Sequence, residues 1–225
     1  MKKNSYSMRA LALLLSYPDE KIRSQMCAVM DVLNTEAILT KPRLTELNAF
    51  VSYLQQMDPL EAESRYVETF DRGRSTCLNL FEHIHGDSRE RGPAMIDLAQ
   101  TYAQSGLNLD PDELPDHLCV VLEFASTQDP EIAHAFLGEM THILNVIFSG
   151  LLKRESPYAS VIAAVLEISG YKAQAVSIPA EASLDESWQE PEAFDGCSNL
   201  GQARPNQQHP IHFFKKNNDT KGVAA

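Results

Sequence analysis

The feature of this chain that most limits its fold is the recurrence of apolar residues at helical spacing along most of its length. Such residues, three and four positions apart, lie on one face of an α-helix. Stripes of this kind run through Ile22, Met26, Val29, Met30 and Leu33, and through Leu44, Leu47, Phe50, Val51 and Leu54. No alternation of apolar and polar residues is long enough for a sheet. The sequence therefore predicts an all-α fold, a single bundle of about seven or eight helices.

Capping residues and prolines predict where several of these helices begin and end. Asp19 is placed as an N-cap, and Gly170 can end the last helix of the bundle. Prolines at the first helical position predict further starts. These starts lie at Asp58-Pro59, Asp129-Pro130 and Ser156-Pro157. The stripe that follows Pro130 continues to Leu151 and predicts the longest helix of the bundle.

The composition of the chain changes after about residue 172, where proline and polar residues dominate. Large apolar residues occur only singly there, as Trp188, Phe194, Phe213 and Phe214. So few apolar side chains cannot offset the entropy that is lost when a chain becomes ordered. We therefore predict a helical domain over residues 1–172 and a mobile, largely disordered tail over residues 173–225.

The net charge and the cysteines limit the partners and the compartment. A formal net charge of −12 argues against nucleic acid binding, which depends on clustered Lys and Arg, and suits a basic or amphipathic peptide partner. No apolar stretch reaches the roughly 18 to 20 residues that cross a membrane, so we predict no membrane insertion. The four cysteines have no zinc-site spacing. We expect them to be free thiols in the cytoplasm.

The densest group of polar residues runs from Tyr66, on the helix that follows Pro59, to Gly92. From Gly73 to Gly92 the chain loses the helical rhythm and is rich in charge, histidine and glycine. We predict an ordered loop with a short turn of helix. Its arginines at 72, 74, 89 and 91 have acidic neighbours at 71, 82, 87 and 90 with which they can pair. Such a network would be structural, whereas a loop with so many polar groups also suits binding of a ligand. Both interpretations stay open at this point.

Histidines next to carboxylates raise the question of catalysis. Asp116 is placed to cap the apolar helix that begins near it and to orient His117. With His83 and His85, this pair is the basis of one alternative hypothesis, a metal-dependent hydrolase. Histidines two positions apart diverge on a helix, however, and no nucleophile or phosphate-loop signature is present. The residues therefore do not indicate an enzyme, and we predict no metal site.

Two stretches of this segment resemble the signature of the NarJ-type chaperones that assemble nitrate reductase. They are Phe70-Asp-Arg-Gly-Arg-Ser-Thr76 and Leu80-Phe-Glu-His-Ile-His-Gly-Asp-Ser-Arg-Glu-Arg-Gly-Pro-Ala-Met95. The stretch Leu114-Pro-Asp-His-Leu118 is similar to a motif of the broader TorD-like chaperones. The resemblance covers roughly residues 8–170 and implies the all-α TorD-like fold.

The resemblance implies a chaperone and not an enzyme. Such a chaperone binds the N-terminal leader of the catalytic subunit of respiratory nitrate reductase. It keeps the apo-subunit competent to receive molybdenum-bis(guanine dinucleotide) and an iron-sulfur cluster, and is not part of the finished enzyme. It holds no cofactor itself, and contact with molybdenum cofactor biosynthesis proteins is a further expectation. The alternative within the family is a TorD-like chaperone for another molybdoenzyme.

Carried onto this chain, the resemblance nominates residues for binding the leader. The polar candidates are Asp71, Arg72, Arg74, Glu82, His83, His85, Arg89 and Arg91, together with Asp116 and His117. We expect Tyr66, Phe70 and Phe81 to form the apolar floor of a groove for an amphipathic leader helix. Because acidic side chains would meet basic positions of the leader, its affinity should fall with salt.

Overall fold

A computed structural model of the chain describes residues 5–86 and 88–178. Within these residues it contains ten α-helices, one 3-10 turn and no strand. The helices are α1 (Ser5–Leu15), α2 (Glu20–Glu36), α3 (Lys41–Gln56), α4 (Pro59–Phe70), α5 (Leu80–His85), α6 (Arg91–Gln104), α7 (Leu118–Thr127), α8 (Pro130–Glu139), α9 (Thr141–Lys153) and α10 (Ala159–Ile168), with the 3-10 turn at Arg74–Thr76. The predicted all-α fold is confirmed.

Most of the tail predicted from composition, including its four large aromatic residues, falls on residues 179–225 and lies outside the described residues. Residues 173–178 are described, and they attach to α9. The backbone N–H of Gln174 donates to Asn145 Oδ1 at 2.9 Å, and that of Val176 donates to Ser149 Oγ at 2.8 Å. The chain therefore stays attached to the helical domain for several residues beyond position 172.

The predicted helix starts are mostly confirmed. Asp19 caps α2 by accepting from the N–H of Ile22 at 2.7 Å, and Asp58 caps α4 by accepting from Leu60 at 3.0 Å. Gly170 follows α10 with a φ of +83°, a left-handed conformation that suits glycine at a helix end. By contrast, α10 begins at Ala159, because Pro157 and Tyr158 form a preceding turn.

The structure has more helices than the predicted seven or eight for two reasons. The long helix predicted from Pro130 to Leu151 is divided at Met140 into α8 and α9, which are bent by 63°. The two halves have different neighbours, since α8 packs on α7 whereas α9 packs on α10. The short helix α5 lies where a loop with one helical turn was predicted. Periodicity cannot reveal such a break, because the apolar stripe runs through it.

The first helix forms the centre of the bundle. It packs most extensively against α7 and then against α2, with further contacts to α10. Met8, Leu11 and Leu15 are at most 1% exposed. Close approach to α7 is shown by the thiol of Cys119, which donates to the carbonyl of Ala12 at 3.4 Å. The apolar run near the N-terminus is therefore core.

No single helix among the described residues is long and apolar enough to cross a membrane. Taken together, α8 and α9 have the length and apolar composition of a membrane-spanning helix, but they are bent by 63° at the break between them. Both contribute buried residues to the core, as shown by Leu137 of α8 and Ile147 of α9, each fully buried.

Gly150 allows α9 to approach the 3-10 turn, and its replacement by alanine should destabilise the fold. An added Cβ would lie 2.9 Å from the backbone carbonyl of Ser75. Alanine improves helix propensity by roughly 1 kcal/mol, but overpacking against backbone costs about 1–3 kcal/mol. We therefore expect Gly150→Ala to lower the free energy of unfolding in urea. Gly92→Ala is the matched control, since no atom lies within 4 Å of its added Cβ. Equal or greater stability of Gly150→Ala would contradict this packing.

Candidate functional site

The two motif-bearing segments meet at one junction. Asn79, before α5, pairs with His117, before α7, in an isolated antiparallel bridge. The N–H of Leu80 donates to the carbonyl of Asp116 at 3.0 Å, and that of Leu118 donates to Leu78 at 2.9 Å. Motifs that are distant in sequence thus lie side by side.

Asp116 is the buried centre of this junction. Its side chain is fully buried, and its Oδ2 accepts from the backbone N–H of Phe81 at 3.0 Å. Asp116 therefore caps the first turn of α5, and the prediction that it caps the following helix is wrong. The N-cap of α7 is His117, whose Nδ1 accepts from the N–H of Cys119 at 3.4 Å. The backbone bridge explains the difference, because it lays residue 116 against the start of α5.

Arg91, at the start of α6, joins the junction from a third helix. Its guanidinium lies 3.8 Å from Asp116 Oδ2 and 3.9 Å from Glu82 Oε2. The predicted pairing of charges within the loop is thus confirmed for Arg91 and Glu82. Asp116 Oδ1 is buried without a hydrogen-bond partner among the described residues. The carboxylate is held mainly from one side.

His83 and Cys77 make structural contacts beneath α5. The Nε2–H of His83 donates to the carbonyl of Cys77 at 2.8 Å, and the Cys77 thiol donates to Glu82 Oε2 at 3.3 Å. Burial raises the pKa of Cys77 to about 11 and lowers the pKa of His83. The thiol is therefore protonated at neutral pH and is a poor nucleophile or metal ligand. Cys27, Cys77 and Cys119 are free thiols as predicted, whereas Cys197 lies outside the described residues.

The described part of the chain contains no metal site of the kind that the hydrolase hypothesis requires. No group of three His, Cys, Asp or Glu side chains comes together there in the way a metal ion requires. His83 is occupied by the Cys77 carbonyl, and the ring of His85 packs edge-on against Phe81 with centroids 5.8 Å apart.

Two rings that the sequence analysis placed on a groove floor lie in the core instead. Tyr66 and Phe70 are 7% and 3% exposed. The hydroxyl of Tyr66 donates to the carbonyl of Leu15 at 2.8 Å, and Phe70 packs on Tyr158 with centroids 4.9 Å apart. A peptide on the protein surface cannot reach them, because Tyr158, in the turn before α10, covers this face of α4. Phe81, the third predicted floor residue, is half-buried.

Several of the polar candidates are on the surface. Exposed members are Asp71, Arg72, Arg74 and Arg89, whereas Glu82, His83, His85, Arg91 and His117 are partly buried. Asp87, one of the acids expected to pair within the loop, lies outside the described residues. The first motif is therefore divided between an internal network and an exposed rim.

An acidic surface that the sequence analysis missed surrounds Tyr17. The ring of Tyr17 is 44% exposed and packs edge-on against Tyr66, and its hydroxyl donates to Glu63 Oε2 at 3.1 Å. Desolvation and the carboxylates of Glu63, Asp19 and Asp71 raise the pKa of Tyr17. Burial lowers the pKa of His117, against the opposing effect of the nearby carboxylates of Asp116 and Asp71. We call Tyr17, Glu63, Asp71 and His117 the Tyr17 surface. No motif spacing links Tyr17 with Glu63, so only the fold reveals it.

Comparison with known proteins gives these motifs a family context. The model of the nitrate reductase delta subunit family matches residues 39–164. NarJ of Escherichia coli K12, named a nitrate reductase molybdenum cofactor assembly chaperone, is 38% identical over 183 residues, which are 81% of this chain and 77% of the relative. A Bacillus subtilis protein assigned the same role by name is 32% identical over 160 residues, covering 70% of this chain and 84% of the relative.

A solved structure from Archaeoglobus fulgidus, described as a redox enzyme maturation protein, has the same fold. Its TM-score is 0.52 at 20% identity, and the match covers 72% of this chain and 90% of that chain. At this identity the likeness concerns the fold alone. It agrees with the all-α architecture predicted from periodicity.

Removing the Asp116 carboxylate should destabilise the junction. In Asp116→Ala the N–H of Phe81 loses its part-buried hydrogen bond to this carboxylate, which costs about 1–3 kcal/mol. In Asp116→Asn the amide oxygen can still accept that N–H, so we expect a smaller loss. Urea unfolding measures both, and hydrogen exchange of the α5 amides should accelerate more in the alanine variant. Asp97→Ala, at an exposed site on α6, is the control. A fully stable Asp116→Ala would show that the carboxylate does not support α5.

Protonation of His117 should weaken the fold at mildly acidic pH. Its pKa in the folded protein is below the ordinary value of 6.5, so the unfolded chain binds the proton first. The stability that neutral His117 contributes is therefore fully present above about pH 6.5, and it is lost as the pH falls through the folded-state pKa. His117→Asn keeps a side-chain acceptor at the N-cap without the titration. We expect this variant to show a smaller decrease of Tm between about pH 7.5 and 5.5. His142→Asn, at an exposed site on α9, should behave like the unsubstituted protein.

Proposed function

This chain belongs to the nitrate reductase delta subunit family, and we propose that it is a chaperone for assembly of the nitrate reductase molybdenum cofactor. The observation that carries the proposal is its likeness, over most of both chains, to proteins named for that role. The chaperone acts in the cytoplasm on the catalytic subunit, keeps it competent for cofactor insertion and leaves before the enzyme is complete. It is not an enzyme and holds no cofactor of its own.

The proposed client segment is the N-terminal leader of the catalytic subunit, bound as a basic amphipathic helix at the Tyr17 surface. The exposed ring of Tyr17 offers an apolar contact, and Glu63 and Asp71 offer carboxylates beside it. Opposite charge accelerates the encounter of such partners and favours the correct register. The net charge of −12 adds a long-range attraction for any cationic segment.

In this proposal the Asp116 junction positions the binding surface without touching the leader. Asp116 is fully buried, but its backbone precedes His117, which lies on the Tyr17 surface and begins α7. The exposed arginines at positions 72, 74 and 89 remain candidates for contact with acidic groups of the client. The motif thus has two roles, one internal and one at the surface.

Titration calorimetry with a synthetic leader peptide of the nitrate reductase catalytic subunit tests the proposal. We expect the full chain to bind this leader selectively over the leader of an unrelated molybdoenzyme. Charge reversal in Glu63→Lys or Asp71→Lys should weaken binding by about tenfold, and added salt should weaken it further. Glu68→Lys is the matched control, because Glu68 is exposed on the same helix α4 but does not belong to the Tyr17 surface.

The outcomes separate the function from its location. If the leader binds to both charge-reversal variants as tightly as to the control variant, another surface of the chain holds the leader. If the unrelated leader binds more tightly, the client is another molybdoenzyme, which is the alternative within the family. If neither leader binds and the purified chain instead holds near-stoichiometric metal, the hydrolase alternative gains support.

A further inference from the structure

Arg154, at the end of α9, caps the C-terminus of α4, the helix that carries Glu63 and ends next to Asp71. The last four carbonyls of an α-helix have no partner within the helix, and an arginine nearby can donate to them. In α4 the carbonyl of Val67 accepts from the N–H of Asp71 at 2.9 Å. The carbonyl of Glu68 accepts from Arg154 Nη1 at 3.2 Å. The guanidinium thus contacts the helix within one turn of Asp71.

The turn that follows α4 is packed against the same guanidinium. Gly73 lies in this turn and is buried. A Cβ added to it would lie 2.8 Å from Arg154 Nη2 and 2.8 Å from the carbonyl of Thr69, and it would also meet the hydroxyl of Thr76. Thr76 is fully buried and donates to that carbonyl of Thr69. The missing side chain of Gly73 therefore lets Arg154 and Thr76 approach the end of α4 together.

The position of the Asp71 side chain depends on how α4 ends. Asp71 is the residue that follows the last one of the helix, and only Arg72 and Gly73 separate it from the 3-10 turn. Its carboxylate is exposed and acts electrostatically on Tyr17 and on His117, the neighbours with which it forms the Tyr17 surface. If the last turn of α4 frays, this carboxylate moves away from the other members of the surface.

We propose that Arg154 is a positioning residue for leader binding, which holds the Asp71 carboxylate at the Tyr17 surface without touching the leader itself. This inference rests on the proposed function. Charge alone predicts an effect of the opposite sign. Arg154 is an exposed cation on a chain with a net charge of −12, so its removal makes the chain more attractive to a basic leader. A positioning role predicts weaker binding instead, because a carboxylate that must first be ordered contributes less to affinity.

Titration calorimetry of the leader peptide with single and double variants of the full chain tests this inference. Arg154→Ala should weaken leader binding by about threefold. In an Asp71→Asn background the same substitution should no longer weaken binding, since the carboxylate that it positions is absent. In a Glu63→Gln background it should still weaken binding by about threefold, because Glu63 lies before the last turn of α4. Lys153→Ala, which removes the same charge from an exposed neighbour on α9, is the matched control and should not weaken binding.

Hydrogen exchange of the chain without leader provides a second measurement. The amides of Asp71 and Arg72 both donate to the carbonyl of Val67. They should exchange faster in Arg154→Ala than in Lys153→Ala, because local opening of the helix end becomes more frequent. Circular dichroism confirms that each variant is folded.

The outcomes distinguish this inference from the proposed function. The inference alone is overturned if Arg154→Ala binds the leader as tightly as Lys153→Ala, or if the weakening persists in the Asp71→Asn background. Equal exchange of the two amides in Arg154→Ala and Lys153→Ala also overturns it. If the unsubstituted chain does not bind the leader, the proposed function itself fails, and the positioning role falls with it.

Discussion

The buried carboxylate of Asp116 is the contact on which the arrangement of the motif segments depends. It accepts the N–H of Phe81 and lies beside the guanidinium of Arg91, so one side chain connects the starts of α5, α6 and α7. A hydrogen bond to an ionised acceptor in a dry site is stronger than a neutral one. The adjacent backbone bridge between Asn79 and His117 fixes the register of the two segments. A short helix such as α5, only six residues long, would be marginal without this support.

The structural role of Asp116 changes how the polar residues of the two motif segments are interpreted. A dense group of charges and imidazoles suggests a binding site, but three of these side chains are engaged within the protein. His83 donates to the carbonyl of Cys77, Glu82 accepts from the Cys77 thiol, and Asp116 accepts from the N–H of Phe81. Removal of the Asp116 carboxylate would leave the N–H of Phe81 without its acceptor, so a structural role is sufficient to explain this residue. Asp71, an exposed member of the motif, lies instead near Tyr17, which is outside both motif segments.

The sequence was sufficient for the fold class and for most helix limits, because these depend on local patterns. Helical periodicity revealed α2 and α3, and the caps Asp19 and Asp58 are where their residue types predicted them. Tertiary contacts decided the rest. The break at Met140 has no local signal, and Asp116 caps a helix that is distant in sequence. Tyr66 and Phe70 were correctly assigned to an apolar face, but periodicity cannot tell whether another helix or a client covers that face. Here Tyr158, in the turn before α10, covers it.

Those same buried rings connect the Tyr17 surface to the core. Tyr17 packs on Tyr66, Tyr66 on Tyr158, and Tyr158 on Phe50, with centroids 5.5, 6.0 and 4.8 Å apart. A close-packed interior resists deformation, so this chain of rings holds the Tyr17 ring in a fixed position beside Glu63. A leader that binds there, as we propose, would meet an apolar ring and a carboxylate that are already in place. Binding would then lose less free energy to the ordering of surface side chains than it would on a mobile surface.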